Sequence, residues 1–176
     1  KEFYEEVPEP EYAVYVFIGD HVNRSCSKYL TPRPYYPFLN YKMKNGRLER
    51  NPERWYDRLY LTRLIGISKM QKVSEKEKYS IAAEHFRETK QEFDKHWKNY
   101  KFIILVYNQR GEKNELYDIG NLKNEGFTII KTYDLIGRYL DLPGDFTHDN
   151  ILPSSKAWEI VTPAFVKEMH KRGMEI

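Results

Sequence analysis

The chain has 176 residues, with 29 Lys and Arg against 26 Asp and Glu and a formal net charge of +3. That length suits a single globular domain, and that balance excludes the strongly basic footprint of a nucleic-acid-binding protein. The one cysteine, Cys26, excludes an intrachain disulfide and a cysteine-based zinc site, and no apolar run is long enough to span a bilayer.

Residues 1–11 are acidic, carry Pro8 and Pro10, and read as a lead-in loop. Tyr12 to Ile18 is a continuous apolar run rich in β-branched and aromatic residues, as in a strand buried on both faces. The stretch from about 28 to 60 is rich in Pro and Tyr and reads as an irregular insertion, with a short hairpin turning at Asn45-Gly46. Lys42, Lys44, Arg47, Arg50, Arg54, Arg58 and Arg63 make this region basic, which reads as a solvated face or as a polyanion site.

A short helix is expected over 55–70. A longer one begins at Ser74, where Ser74-Glu75-Lys76-Glu77 fits a capping box. Its apolar face is Tyr79, Ala82, Ala83, Phe86, Phe93 and Trp97. Phe102 to Tyr107 is a second buried strand, 113–124 a helix closed by Gly126, and Phe127 to Lys131 a third strand. Residues 133–140 form a short helical turn. A last helix runs from near Ser154 to about Arg172 through Ala157, Ile160, Val161, Ala164, Phe165 and Met169. Pro163 should bend or break it. Strands alternating with helices imply a parallel sheet in an α/β domain covering residues 1–176.

In such sheets, ligands gather beyond the carboxyl ends of the strands. Three loops qualify: Gly19-Asp20-His21-Val22-Asn23-Arg24, Asn108-Gln109-Arg110-Gly111, and the segment leading to Asp145-Phe146-Thr147-His148. A histidine that shuttles protons needs a carboxylate on its far ring nitrogen, and one Asp-x-x-His turn supplies both. The same spacing also occurs in ordinary helix-capping loops. His21, His148, Asp20 and Asp145 also have the chemistry of a zinc or manganese site if they converge. His85, His96 and His170 read as surface or edge residues. Ser154 and Ser155 read as caps, Ser25 and Ser27 as loop hydroxyls, and Cys26 as an inert thiol.

The Asp145-x-x-His148 block and the helix after it resemble the acid and base of SGNH (GDSL-type) hydrolases. Tyr15-Val16-Phe17-Ile18-Gly19-Asp20-His21 resembles the strand and loop of that family's Gly-x-Asn block. The resemblance covers roughly residues 10–24 and 75–172. It implies a three-layer α/β/α, flavodoxin-like parallel sheet. It also implies a serine esterase, acyl hydrolase or acyltransferase without a cofactor, of a kind found among bacterial proteins. Asp145 and His148 would be catalytic. Gly19 with His21 or Asn23 would form the oxyanion hole, and Asp20, Arg24 and Asn108 would lie within reach of a substrate. That substrate would be a small-molecule, lipid or carbohydrate ester. The chain departs from the family in two places: His21 stands where the family has Asn, and no Gly-Asp-Ser nucleophile turn occurs.

With three strands where the family has about five, the expectation is an incomplete domain. Its first strand would pair with the N-terminal half of the same domain or with another copy of the chain, because an exposed apolar edge invites a partner. A non-catalytic binding module that kept the fold is the alternative. No nucleic-acid partner is expected, and the compartment stays open between cytoplasmic and extracytoplasmic.

Overall fold

A computed structural model describes residues 8–18, 41–50, 55–58, 74–107, 119–137, 147–148 and 152–175. The chain divides into two compact units. One comprises Lys1–Gly19, Asn99–Asp118 and Lys123–Ile176, and the other Asp20–Lys98 and Ile119–Leu122.

The first unit is built on a parallel three-stranded sheet in the order β1 (Tyr12–Ile18), β4 (Lys101–Tyr107), β5 (Thr128–Lys131). This is an α/β arrangement, as the alternation of strands and helices implies. Tyr12 lies opposite Lys101 and Ile18 opposite Tyr107, so β1 and β4 end together. β4 is the central strand, and every residue from Phe102 to Tyr107 is buried. That is why its sequence reads as an unbroken apolar run rather than an alternation. β1 is less covered, with Val14 and Tyr15 among the exposed large apolar residues.

One face of the sheet presents Ile103, Leu105, Tyr107 and Ile130. They pack in one core with Ile136 of helix α2 (Thr132–Ile136) and with Ala157, Val161 and Met169 of helix α3 (Ser155–Lys171). Burying a Val, Ile or Leu side chain contributes about 1.5–3 kcal/mol each, so this apolar layer is the main stabiliser of the unit. Helix α3 starts where Ser154 Oγ accepts from the Ala157 N–H at 3.2 Å. It ends in a Schellman turn: Gly173 N–H donates to His170 O (2.9 Å) and Met174 N–H to Met169 O (3.0 Å). Gly173 sits at φ 71°, a backbone region that glycine adopts without a Cβ penalty.

The helix continues through Pro163, so of the expected bend or break the break does not occur. Pro163 removes the bond to the Glu159 carbonyl. Both residues lie on the exposed side, where water can replace the missing donor.

The second unit contains helix α1 (Glu75–Asp94) and the antiparallel hairpin β2 (Tyr41–Lys44) and β3 (Arg47–Arg50). Ser74 Oγ accepts from Glu77 N–H at 3.2 Å, as the capping box requires. Ile81, Ala82, Ala83 and Phe86 are the buried side of α1. Asn45 (φ 52°) and Gly46 (φ 74°) form the two-residue turn, both at positive φ, as a type I′ hairpin demands.

Two local expectations shift. Trp55–Arg58 is a 3-10 turn, and the remainder of the helix expected over 55–70 lies outside the described residues. The helix expected over 113–124 is described only from Gly120 to Glu125, where it is 3-10. Gly126 follows at φ 84° and stops it.

Candidate functional site

The orientation of α3 decides where the candidate site stands. Its first turn meets the end of β4: the Trp158 and Tyr107 rings pack with centroids 6.0 Å apart. Its last residues meet the beginning of β5, where the Arg172 guanidinium reaches Ile129 O at 3.5 Å. The helix therefore runs antiparallel to the strands, with its amino end at their carboxyl edge.

Immediately before α3 the chain forms a small antiparallel pair, β6 (Thr147–His148) and β7 (Leu152–Pro153). His148 lies opposite Leu152, two residues before the Ser154 cap. Paired strands lie about 5 Å apart, so the His148 backbone is held beside the amino end of α3. This is the edge at which β1 and β4 end, and the edge where α/β proteins bind ligands. Two-residue strands carry no periodicity, which is why this pair was not legible in the sequence.

Asp145 lies outside the described residues. So do Gly19, Asp20, His21, Asn23, Arg24 and Asn108, and also Ser25, Cys26 and Ser27. Gly19 follows directly on the last residue of β1, and Asn108 on the last residue of β4. Ser154 is a helix cap, as its position before the apolar stripe suggested. Among the described residues, no three His, Cys, Asp or Glu side chains converge on a metal position.

Tyr107 closes the described part of the site. Its side chain is fully buried at the end of β4, and burial pushes the phenol above its ordinary pKa. The ring packs against that of Trp158. The sequence placed Tyr107 in a strand but not against Trp158. The available signal was an aromatic at the last position of an all-apolar strand.

The other histidines divide. His96 is exposed, with Nε2 3.7 Å from Glu92 Oε1, and His170 is exposed near the end of α3. His85 is half-buried, the edge position of the two expected. Its Nε2 is buried and, among the described residues, has no hydrogen-bond partner, and its ring stands edge-to-face to Tyr41 at 4.6 Å. Burial pulls its pKa below the ordinary imidazole value, and the Glu84 carboxylate opposes that shift.

No protein-family model, curated protein or solved structure matches the chain. Among the described residues, no helix is long and apolar enough to cross a membrane.

Proposed function

We propose that this chain supplies the acid–base half of an SGNH-type serine esterase, acyl hydrolase or acyltransferase, within a flavodoxin-like three-layer domain. The observation that carries the reading is the position of the His148 backbone, at the carboxyl edge of a parallel sheet and beside a helix amino end.

In this mechanism His148 takes the proton of a serine hydroxyl as that oxygen attacks the ester carbonyl. It then returns the proton to the departing alkoxide. Asp145 accepts from the other ring nitrogen, fixes the tautomer and stabilises the imidazolium. Gly19 N–H and a side-chain donor from His21 or Asn23 hold the oxyanion, a donor of that kind contributing about 3–4 kcal/mol. Asp20, Arg24 and Asn108 are the substrate contacts. No Gly-Asp-Ser occurs in the chain, so the nucleophile belongs to a segment outside these 176 residues. β1 accepts that segment as a further strand; Val14, mid-strand and 44% exposed, fits such a neighbour.

A second reading, a binding module that kept the fold without the chemistry, is favoured by the same missing motif and by His21 in place of Asn. Labelling of the full-length gene product with a fluorophosphonate, followed by peptide mapping, separates the two. The esterase reading expects an adduct on a serine upstream of Lys1, lost in His148→Ala while the circular dichroism spectrum is kept. A folded protein without an adduct, or a His148→Ala variant that labels at the wild-type rate, rejects it.

A further inference from the structure

The basic stretch around residues 42–63 plays no part in that reading. Between Tyr41 and Arg50 stand four basic residues and one acid, so this hairpin alone carries as much net positive charge as the whole chain, +3. The register gathers most of that charge on one face. Lys42 lies opposite Glu49 and Lys44 opposite Arg47, and directly opposed residues of an antiparallel pair project to the same side. The other side presents Tyr41 to His85 of α1. The charged side is therefore the outer one, with Lys44 and Arg47 exposed and the Lys42 and Glu49 side chains each 44% exposed.

The acid does not neutralise this face. Glu49 Oε2 is shared by Lys42 at 3.9 Å and Lys44 at 3.3 Å, and among the described residues Arg47 makes no ion pair. One carboxylate between two ammonium groups orders them, and Arg47 adds a fork of donors suited to a planar carboxylate. Five residues beyond Arg50, Trp55 is 75% exposed, braced edge-to-face by Tyr56 at 5.8 Å. Chain length alone keeps its Cα within about 18 Å of Arg50.

We propose that the outer face of the β2–β3 hairpin, with Trp55, docks an acidic polysaccharide. The charged strip is about four residues long, roughly 13 Å. A nucleic acid, with a phosphate at every nucleotide, gains its affinity from a longer cationic track. A glycan that sets single carboxylates between uncharged rings fits a short strip of three cations. An exposed indole face takes the C–H edges of a sugar ring. The inference is independent of the catalytic reading and concerns the other compact unit.

Isothermal titration of hyaluronan oligomers, in which each carboxylate-bearing ring alternates with an uncharged one, into the intact chain tests it, at low and at physiological ionic strength. The expected result is saturable binding that weakens with salt. Lys44→Ala/Arg47→Ala should weaken it about tenfold and flatten the salt dependence. Trp55→Ala should weaken it while leaving the salt dependence unchanged. Lys167→Ala, an exposed lysine on α3, should behave as wild type. All these side chains are exposed, and a preserved circular dichroism spectrum confirms folding. Absence of binding at low salt overturns the proposal. So does equal affinity of the double variant, or tighter binding of a single-stranded DNA oligomer carrying the same charge.

Discussion

His85 shows how one side chain ties packing to pH. A neutral imidazole fits edge-on against Tyr41, whereas a charged one would sit with Nε2 sealed from water and no acceptor among the described residues to meet it. Its pKa is therefore lower in the folded chain than the ordinary 6.5 of the unfolded one. Below that ordinary value the unfolded chain binds more protons. The stability contributed by neutral His85 is thus complete above pH 6.5 and drains away as the pH falls toward the lowered folded value. Urea denaturation across that range, followed by helix signal, should show the midpoint falling on acidification. His85→Phe, which keeps the ring contact, should flatten that part of the slope. An unchanged slope would mean that Nε2 is served by water or that cation–π attraction to Tyr41 compensates the charge. The sequence left this residue between surface and edge because His85 sits between Glu84 and Phe86, one polar and one apolar neighbour, and helical periodicity does not say on which side of the boundary a ring falls.

At the scale of elements, legibility followed the strength of the local signal. The runs 12–18 and 102–107 announced strands, though only the second is buried throughout, Asn45-Gly46 the hairpin, and Ser74 with Glu77 the start of α1. Where the cue was a composition rather than a pattern, as in 113–124, only a 3-10 turn is seen over the described part. The break allowed for at Pro163 is absent for a physical reason. The cost of a helical proline depends on whether water can reach the carbonyl it abandons, and exposure is a tertiary property. The residue still costs the helix a hydrogen bond and propensity. Pro163→Ala should therefore stabilise the chain by about 1–3 kcal/mol, read as a rise in Tm. No change would mean that Pro163 stiffens the unfolded chain enough to offset the lost bond.

Across the whole molecule, the sheet joins strands far apart in sequence. β1 pairs with β4 about 90 residues later, whereas β2–β3 and α1 close locally. Long-range parallel pairing is slow, so helix signal should precede β1 protection, with refolding completed in milliseconds to seconds. Pulsed hydrogen exchange read by mass spectrometry checks this order. Simultaneous protection of α1 and β1 amides would refute it. The same separation explains what the sequence revealed of the candidate site. Each loop could be read as following a strand. Which strands lie side by side is set by tertiary packing, and only the position of α3 brings His148 to the edge where β1 and β4 end.

The Schellman turn that closes α3 makes the end of the chain a chemical gauge. Met169 and Met174 flank it, and both thioethers are buried in the core on which α3 is seated. Sulfoxidation needs access to sulfur, so peroxide should modify these two residues only when the terminal turn lifts from the sheet. Once formed, a polar sulfoxide cannot return to an apolar seat without cost. Oxidative damage would thus ratchet the helix off its sheet, and the rate of that damage, followed as a mass shift on the C-terminal peptide, would measure how often the helix end opens.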